Sequence, residues 1–310
     1  MLWILVFAVS LFFLLKSSDY FVDSSLILGK QLGIPQHVIG ITLVALGTSL
    51  PELAASLASV WEGADSIVIG NVVGSNNTNI FMVLGITAVI AGVIDIKMQQ
   101  IKRFIPMLLG SAIWLAVASM DGVFGTFDAI VALILMIVFL GQCFLGGSPD
   151  DDDEEENDDT VVDSNKWRQI GIFAGSIIVI YFSADYLIKS VIHMSQTLLI
   201  REDIIAASAI ALGTSLPELF VSLNAIKKGK QGIAVGNVVG SNIFNSLGVM
   251  GIPALIHNIN VGEKTLYFAL PLMLVATALF LFFIIDKKIT RLEGIILVVF
   301  YIIFIGVLFI

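Results

Sequence analysis

The chain has 310 residues, 57% of them hydrophobic and only 13% charged. Apolar runs of about 20 residues are what a helix needs to cross a bilayer, so the composition points to a membrane protein and away from aqueous enzymes. A pI of about 4.7 and the lack of a basic patch exclude a nucleic-acid binder.

In chain order, apolar runs between charged or Pro/Gly breaks predict ten spans. Five lie at 2–29, 36–61, 66–93, 103–120 and 125–146. The first lacks a basic leader region and is read as a retained helix rather than a cleaved signal. An acidic linker follows at 147–166. Nine acids fall between Asp150 and Asp159, and without them acids and bases balance, so the net charge of −9 is local to a solvated connection. The other five spans lie at 167–195, 203–226, 231–256, 265–285 and 292–310. The organisation is thus a first half (1–146), a linker (147–166) and a second half (167–310). Cys143 is read as a buried inert thiol, and His37, His193 and His257 share no metal-ligand spacing.

The halves are copies. ALGTSLPEL at Ala45 to Leu53 returns at Ala211 to Leu219, an offset of 166. GNVVGSN at Gly70 to Asn76 returns at Gly236 to Asn242, and SSDY at Ser17 to Tyr20 returns as SADY at Ser183 to Tyr186. Five spans per copy is an odd number, so the second copy enters the membrane in the opposite sense: an all-α protein of ten helices in two inverted five-helix repeats. Twelve of the sixteen basic residues fall in odd-numbered loops and only Arg201 and Lys264 in even ones. The positive-inside rule then puts both termini outside the cell membrane and the acidic linker in the cytoplasm.

Glu52 and Glu218 lie within apolar spans. A carboxylate in hydrocarbon is costly and marks a functional site, and two at matched positions suggest one shared cation site on a pseudo-two-fold axis. Pro51 and Pro217 each remove a backbone donor inside a span and free the carbonyls of Gly47 and Gly213. Such breaks are tolerated where they line a cavity. Thr48, Glu52 and Ser56 share one helical face, as do Thr214, Glu218 and Ser222. In the next spans Asn71, Ser75 and Asn79 repeat the spacing, with Asn237, Ser241 and Asn245 as counterparts. Asn71 and Asn237 are read as interhelical glue, the other four as site residues. The GxxxG pairs Gly70/Gly74 and Gly236/Gly240 predict close helix packing. For Asp19 and Asp185 a helix-end contact and a gating role both stay open. This oxygen-only inventory suits Ca²⁺, which takes about 6–8 oxygens in flexible geometry. Two bare buried carboxylates must take protons or monovalent cations in its place, and that requirement couples exchange.

At these residues the chain resembles the calcium/cation antiporter superfamily, specifically prokaryotic sodium/calcium exchangers. The GTSLPE and GN-xx-GS-xxx-N blocks are similar to its two alpha-repeats, and the likeness covers nearly the whole chain. It implies a central site between helices 2, 3, 7 and 8 and a peripheral helix pair that slides to alternate access. It also implies that Glu52 and Glu218 bind Ca²⁺ and Na⁺, joined by Thr48, Ser49, Thr214 and Ser215, by the carbonyls of Ala45 and Ala211, and by Ser75, Asn79, Ser241 and Asn245. Some relatives carry Asp where this chain has Asn245, so the core holds two carboxylates rather than three. The expected activity is Ca²⁺/Na⁺ antiport in the cell membrane, with no cofactor, the lipid bilayer as partner and the ions as substrates. A Ca²⁺/H⁺ antiporter is the runner-up. A cation channel is the reading from another class, since acidic rings also line pores. An enzyme is not expected, because no nucleophile–base pair or HExxH accompanies the glutamates.

Overall fold

The computed structural model describes residues 2–31, 47–96, 101–145, 166–229 and 231–310. The acidic run and the first part of the second span lie outside them. The described helices are α1 (Leu2–Gln31), α2 (Leu50–Trp61), α3 (Ser66–Ala91), α4 (Ile105–Ala118), α5 (Thr126–Leu145), α6 (Lys166–Leu198), α7 (Glu202–Lys227), α8 (Gln231–Ala254), α9 (Thr265–Asp286) and α10 (Arg291–Leu308). Among the described residues, eight of these are long and apolar enough to cross a membrane; α2 and α4 are shorter.

Two groups of helices pack differently. The larger apolar core gathers α3, α4, α5, α8, α9 and α10 around side chains such as Phe81, Phe124, Phe280 and Phe304, all fully buried. The smaller core joins α1 and α6 to α2, α7 and the start of α3 through Leu14, Ala55, Ile67, Leu187 and Ile210. The long helices α1 and α6 lie against each other and turn Phe12, Phe13, Ile178 and Phe182 outward. An apolar outer surface of that extent fits lipid rather than water. At the centre, α3 and α8 are the most buried spans. Gly70 and Gly74 make this possible on one side: a Cβ at Gly74 would stand 2.5 Å from the Ala207 carbonyl and 2.8 Å from the Ala211 Cβ of α7. The expected GxxxG packing is therefore present in the first copy. At Gly236 nothing among the described residues approaches within 4 Å.

Four short strands tie the helix ends together. β1 (Val93–Asp95) pairs antiparallel with β4 (Lys288–Thr290), and β2 (Val123–Phe124) with β3 (Ile259–Asn260). The two ladders exchange under the offset of 166. Val93 opposite Thr290 becomes Ile259 opposite Phe124, and Ile94 opposite Ile289 becomes Asn260 opposite Val123. Other links follow the same division. The Asp95 amide donates to Gln231 Oε1 at 2.5 Å beside the first ladder. The Asn260 amide and side chain donate to Asp65 Oδ2 at 2.9 and 2.8 Å beside the second. Thr265 donates to Asp203 at 3.1 Å, and Asp203 also holds Arg201. The segments after α3 and α9 and the start of α8 thus meet at one end. Those after α2, α4, α6 and α8 meet at the other.

Candidate functional site: a cation chamber between the repeats

Each half of the site begins at a break in a helix. The backbone leaves regular helical geometry at Ser49 (φ −90°, ψ 8°) and at Ser215 (φ −83°, ψ 4°), then restarts at Leu50 and Leu216. Pro51 and Pro217 fall in the first turn of the new half-helix, where a missing N–H has no helical partner to lose. The sequence places these prolines inside continuous spans; the structure moves the break just ahead of them. Glu52 and Glu218 consequently occupy first turns, whose partial positive charge favours a carboxylate.

Both glutamates are fully buried. The two halves interlock around them. Ser49 Oγ donates to Glu218 Oε1 at 3.5 Å, and Thr48 Oγ1 lies 3.3 Å from Asn237 Oδ1 and 3.2 Å from Ser241 Oγ. Ser49 lies just ahead of Glu52 in the first repeat, so its bond to Glu218 links the two half-helix starts across the repeats. The Thr214 hydroxyl donates to the Ile210 carbonyl at 3.1 Å.

Two asparagines hold the glutamates in place with matched geometry. Asn71 Nδ2 donates to the Glu52 carbonyl at 3.1 Å and to Ser56 Oγ at 3.2 Å. Asn237 Nδ2 donates to the Glu218 carbonyl at 3.1 Å and to Ser222 Oγ at 3.2 Å. The glue reading of these residues therefore gains a specific object: each fixes the main chain that carries the acid.

The oxygens left over are informative. Among the described residues, both Glu52 carboxylate oxygens, Glu218 Oε2, Ser75 Oγ, Ser215 Oγ, Asn79 Oδ1, Asn71 Oδ1 and Asn245 Oδ1 are buried without a hydrogen-bond partner. Each such group carries a desolvation cost of about 1–3 kcal/mol or more, and together they form an acceptor-rich set matched to a hard cation. Asn79 and Asn245 each open a widened π turn, Asn79–Leu84 and Asn245–Val249, a distortion that frequents functional sites. Among the described residues no three His, Cys, Asp or Glu side chains cluster, so this donor set is two carboxylates plus neutral oxygens.

The sequence-derived positions fare as follows. Thr48, Ser49, Glu52, Thr214, Ser215, Glu218, Ser75, Asn79, Ser241 and Asn245 are all buried. The Ala211 carbonyl accepts from the Ser215 amide at 3.1 Å and keeps one lone pair. Ala45 lies outside the described residues. Asp19 and Asp185 stay on the peripheral pair, held by Lys16 at 3.4 Å and Lys189 at 2.9 Å. Sequence reasoning missed the bond between the repeats made by Asn79 to Asn242 Oδ1 at 3.0 Å and by Asn242 to the Asn76 carbonyl at 3.3 Å. Its signal was present: Asn76 and Asn79 are three apart, on one helical face, and Asn76 recurs as Asn242.

The chain is similar to known proteins over nearly its whole length. A family model described as Sodium/calcium exchanger protein matches residues 2–145 and 168–310. Sodium/calcium exchanger MaX1 of Methanosarcina acetivorans is 34% identical, over 98% of this chain and 98% of its own. Inner membrane protein YrbG of Escherichia coli is 31% identical, over 80% of this chain and 78% of its own. Among solved structures, the sodium-calcium exchanger NCX_Mj soaked with Na⁺ and Sr²⁺ matches with a TM-score of 0.68 at 31% identity, over 98% of each chain.

Proposed function

The chain belongs to the sodium/calcium exchanger family, and from that premise we propose that it exchanges Ca²⁺ for Na⁺ across the cell membrane by alternating access. Ten crossings in two inverted repeats carry the site, with both termini outside and the acidic linker in the cytoplasm. The exchange of the two ladders under the repeat offset supports the inversion, as does the segregation of helix connections to opposite ends. The basic residues concentrated in odd loops support the orientation.

The single observation that carries the proposal is the pair of fully buried glutamates, one from each repeat, with buried polar oxygens that find no hydrogen-bond partner among the described residues. One Ca²⁺ neutralises both carboxylates and collects the surrounding oxygens. Na⁺ ions, each with a smaller charge, take the same oxygens in its absence. Ca²⁺ and a full set of Na⁺ cannot be held together, because they compete for the same two acids. Release of one is therefore tied to capture of the other, and a chamber open to one side at a time turns that competition into antiport.

The test is radiolabelled Ca²⁺ uptake into proteoliposomes under an imposed Na⁺ gradient and, separately, a pH gradient. The expected result is uptake driven by outward Na⁺ and dependent on membrane potential, since three Na⁺ for one Ca²⁺ moves net charge. Uptake that ignores Na⁺ and follows the pH gradient would assign the H⁺-coupled mode instead. Flux without saturation or counterflow would assign a channel.

A further inference from the structure

The peripheral pair sits unevenly on the rest of the protein. Helix α6 packs along α2, with Tyr181 against Trp61 at a ring separation of 6.0 Å. The corresponding seat of α1 along the second half of α7, Leu216–Lys227, is thin. At the end of the well-made seat, Lys189 Nζ of α6 reaches Glu62 Oε1 just beyond α2 at 3.4 Å, while Asp185 Oδ2 holds the same ammonium at 2.9 Å.

The offset of 166 maps Glu62 onto Lys228 and Lys189 onto Asp23. The equivalent positions therefore hold an acid and a base with the signs exchanged. Asp23 and Lys228 are both exposed, and among the described residues no ion pair joins them. Lys189 is near the end of α6 where α2 finishes. Asp23 and Lys228 belong to the opposite end, with the last turns of α1 and the start of α8.

Resting on the antiporter reading, we infer that these four residues are two alternating latches. Lys189–Glu62 holds the α1–α6 pair in the position seen here. Asp23–Lys228 holds it in the opposite position. In an inverted-repeat transporter each half takes up in one state the arrangement its twin has in the other. The thin seat of α1 along Leu216–Lys227 is then, among the described residues, the seat of the other state, and its latch residues are already in the sequence. Asp185 shares Lys189, and Asp19, close enough to act on Asp23, stands in the matching place for Lys228. A partly exposed ion pair shifts a two-state population by only about two- to fivefold. That strength biases a switch that must reverse in every cycle without locking it.

The test uses full-length protein in proteoliposomes with Cys143→Ala as background. One variant carries Glu62→Cys with Lys189→Cys, another Asp23→Cys with Lys228→Cys, and a short bifunctional thiol reagent is added in Na⁺ or in Ca²⁺. The latches predict that conditions raising one cross-link lower the other, and that either cross-link stops exchange until reduced. A companion set measures exchange rate: Lys228→Glu slows it about two- to fivefold, and Lys228→Glu with Asp23→Lys restores it. A 23–228 pair that never cross-links in a transporting protein, both pairs cross-linking together, or a swap that fails to restore the rate would overturn the latches and leave the antiporter reading standing. Loss of gradient-driven exchange in the background protein itself would instead strike the antiporter reading.

Discussion

At the scale of single residues, the acids depend on what holds them. Asn71 spends both amide protons on the Glu52 carbonyl and Ser56, and Asn237 spends its own on the Glu218 carbonyl and Ser222. Asn71→Leu removes the donors but leaves both acceptors buried, an expected cost of about 1–3 kcal/mol. Because the clamped backbone carries the carboxylate, part of this loss should surface in ion binding: the Ca²⁺ concentration for half-maximal uptake should rise about tenfold. Unchanged half-saturation in a folded Asn71→Leu variant would reduce the asparagine to a packing role. The glutamates themselves were legible from sequence, since an acid in hydrocarbon has few reasons to exist. The clamp was not. Spacing put Asn71 on the same face as Ser75 and Asn79, but only coordinates tell which acceptors an amide on that face reaches.

At the scale of elements, the chamber needs helices that approach closely and helices that break. Gly74 lets α3 meet the Ala207 main chain of α7, where a Cβ would stand 2.5 Å from the carbonyl oxygen. Gly74→Ala should therefore lower the melting temperature and the yield of folded protein. Gly306→Ala on α10, where nothing among the described residues lies within 4 Å of an added Cβ, should be neutral or mildly stabilising, as usual for glycine in a helix. Equal tolerance at both positions would mean that α3 and α7 do not need this proximity. The glycine pattern was readable in the first copy, where GxxxG brings α3 against α7, but not at Gly236, where nothing among the described residues lies within 4 Å. The break falls inside the turn that the sequence points to, between Gly47 and Pro51 and between Gly213 and Pro217. Proline marks where a helix is weakened, but its favoured place is the first helical turn, so the chain breaks at Ser49 and Ser215 and leaves Pro51 and Pro217 to start the next segment. The four strands were invisible to hydropathy, being two or three residues long.

At the scale of the whole molecule, one repeat offset organises spans, strand ladders, clamps and charge pairs alike. Because it is an internal symmetry, it was visible in the sequence before any packing was known. What symmetry conceals is the state of the molecule. Among the described residues, α6 packs along Leu50–Trp61 more fully than α1 packs along Leu216–Lys227. That departure from symmetry belongs to the packing, and the repeat offset alone gives no sign of it. The central claim is that two acids from opposite repeats form one ion site. It is tested most directly by Ca²⁺ uptake, driven by a Na⁺ gradient, in Glu52→Gln, Glu218→Gln and the double variant. The account predicts that each single change abolishes uptake in folded protein and that the double change is no worse than either; substantial uptake by either single variant would contradict it.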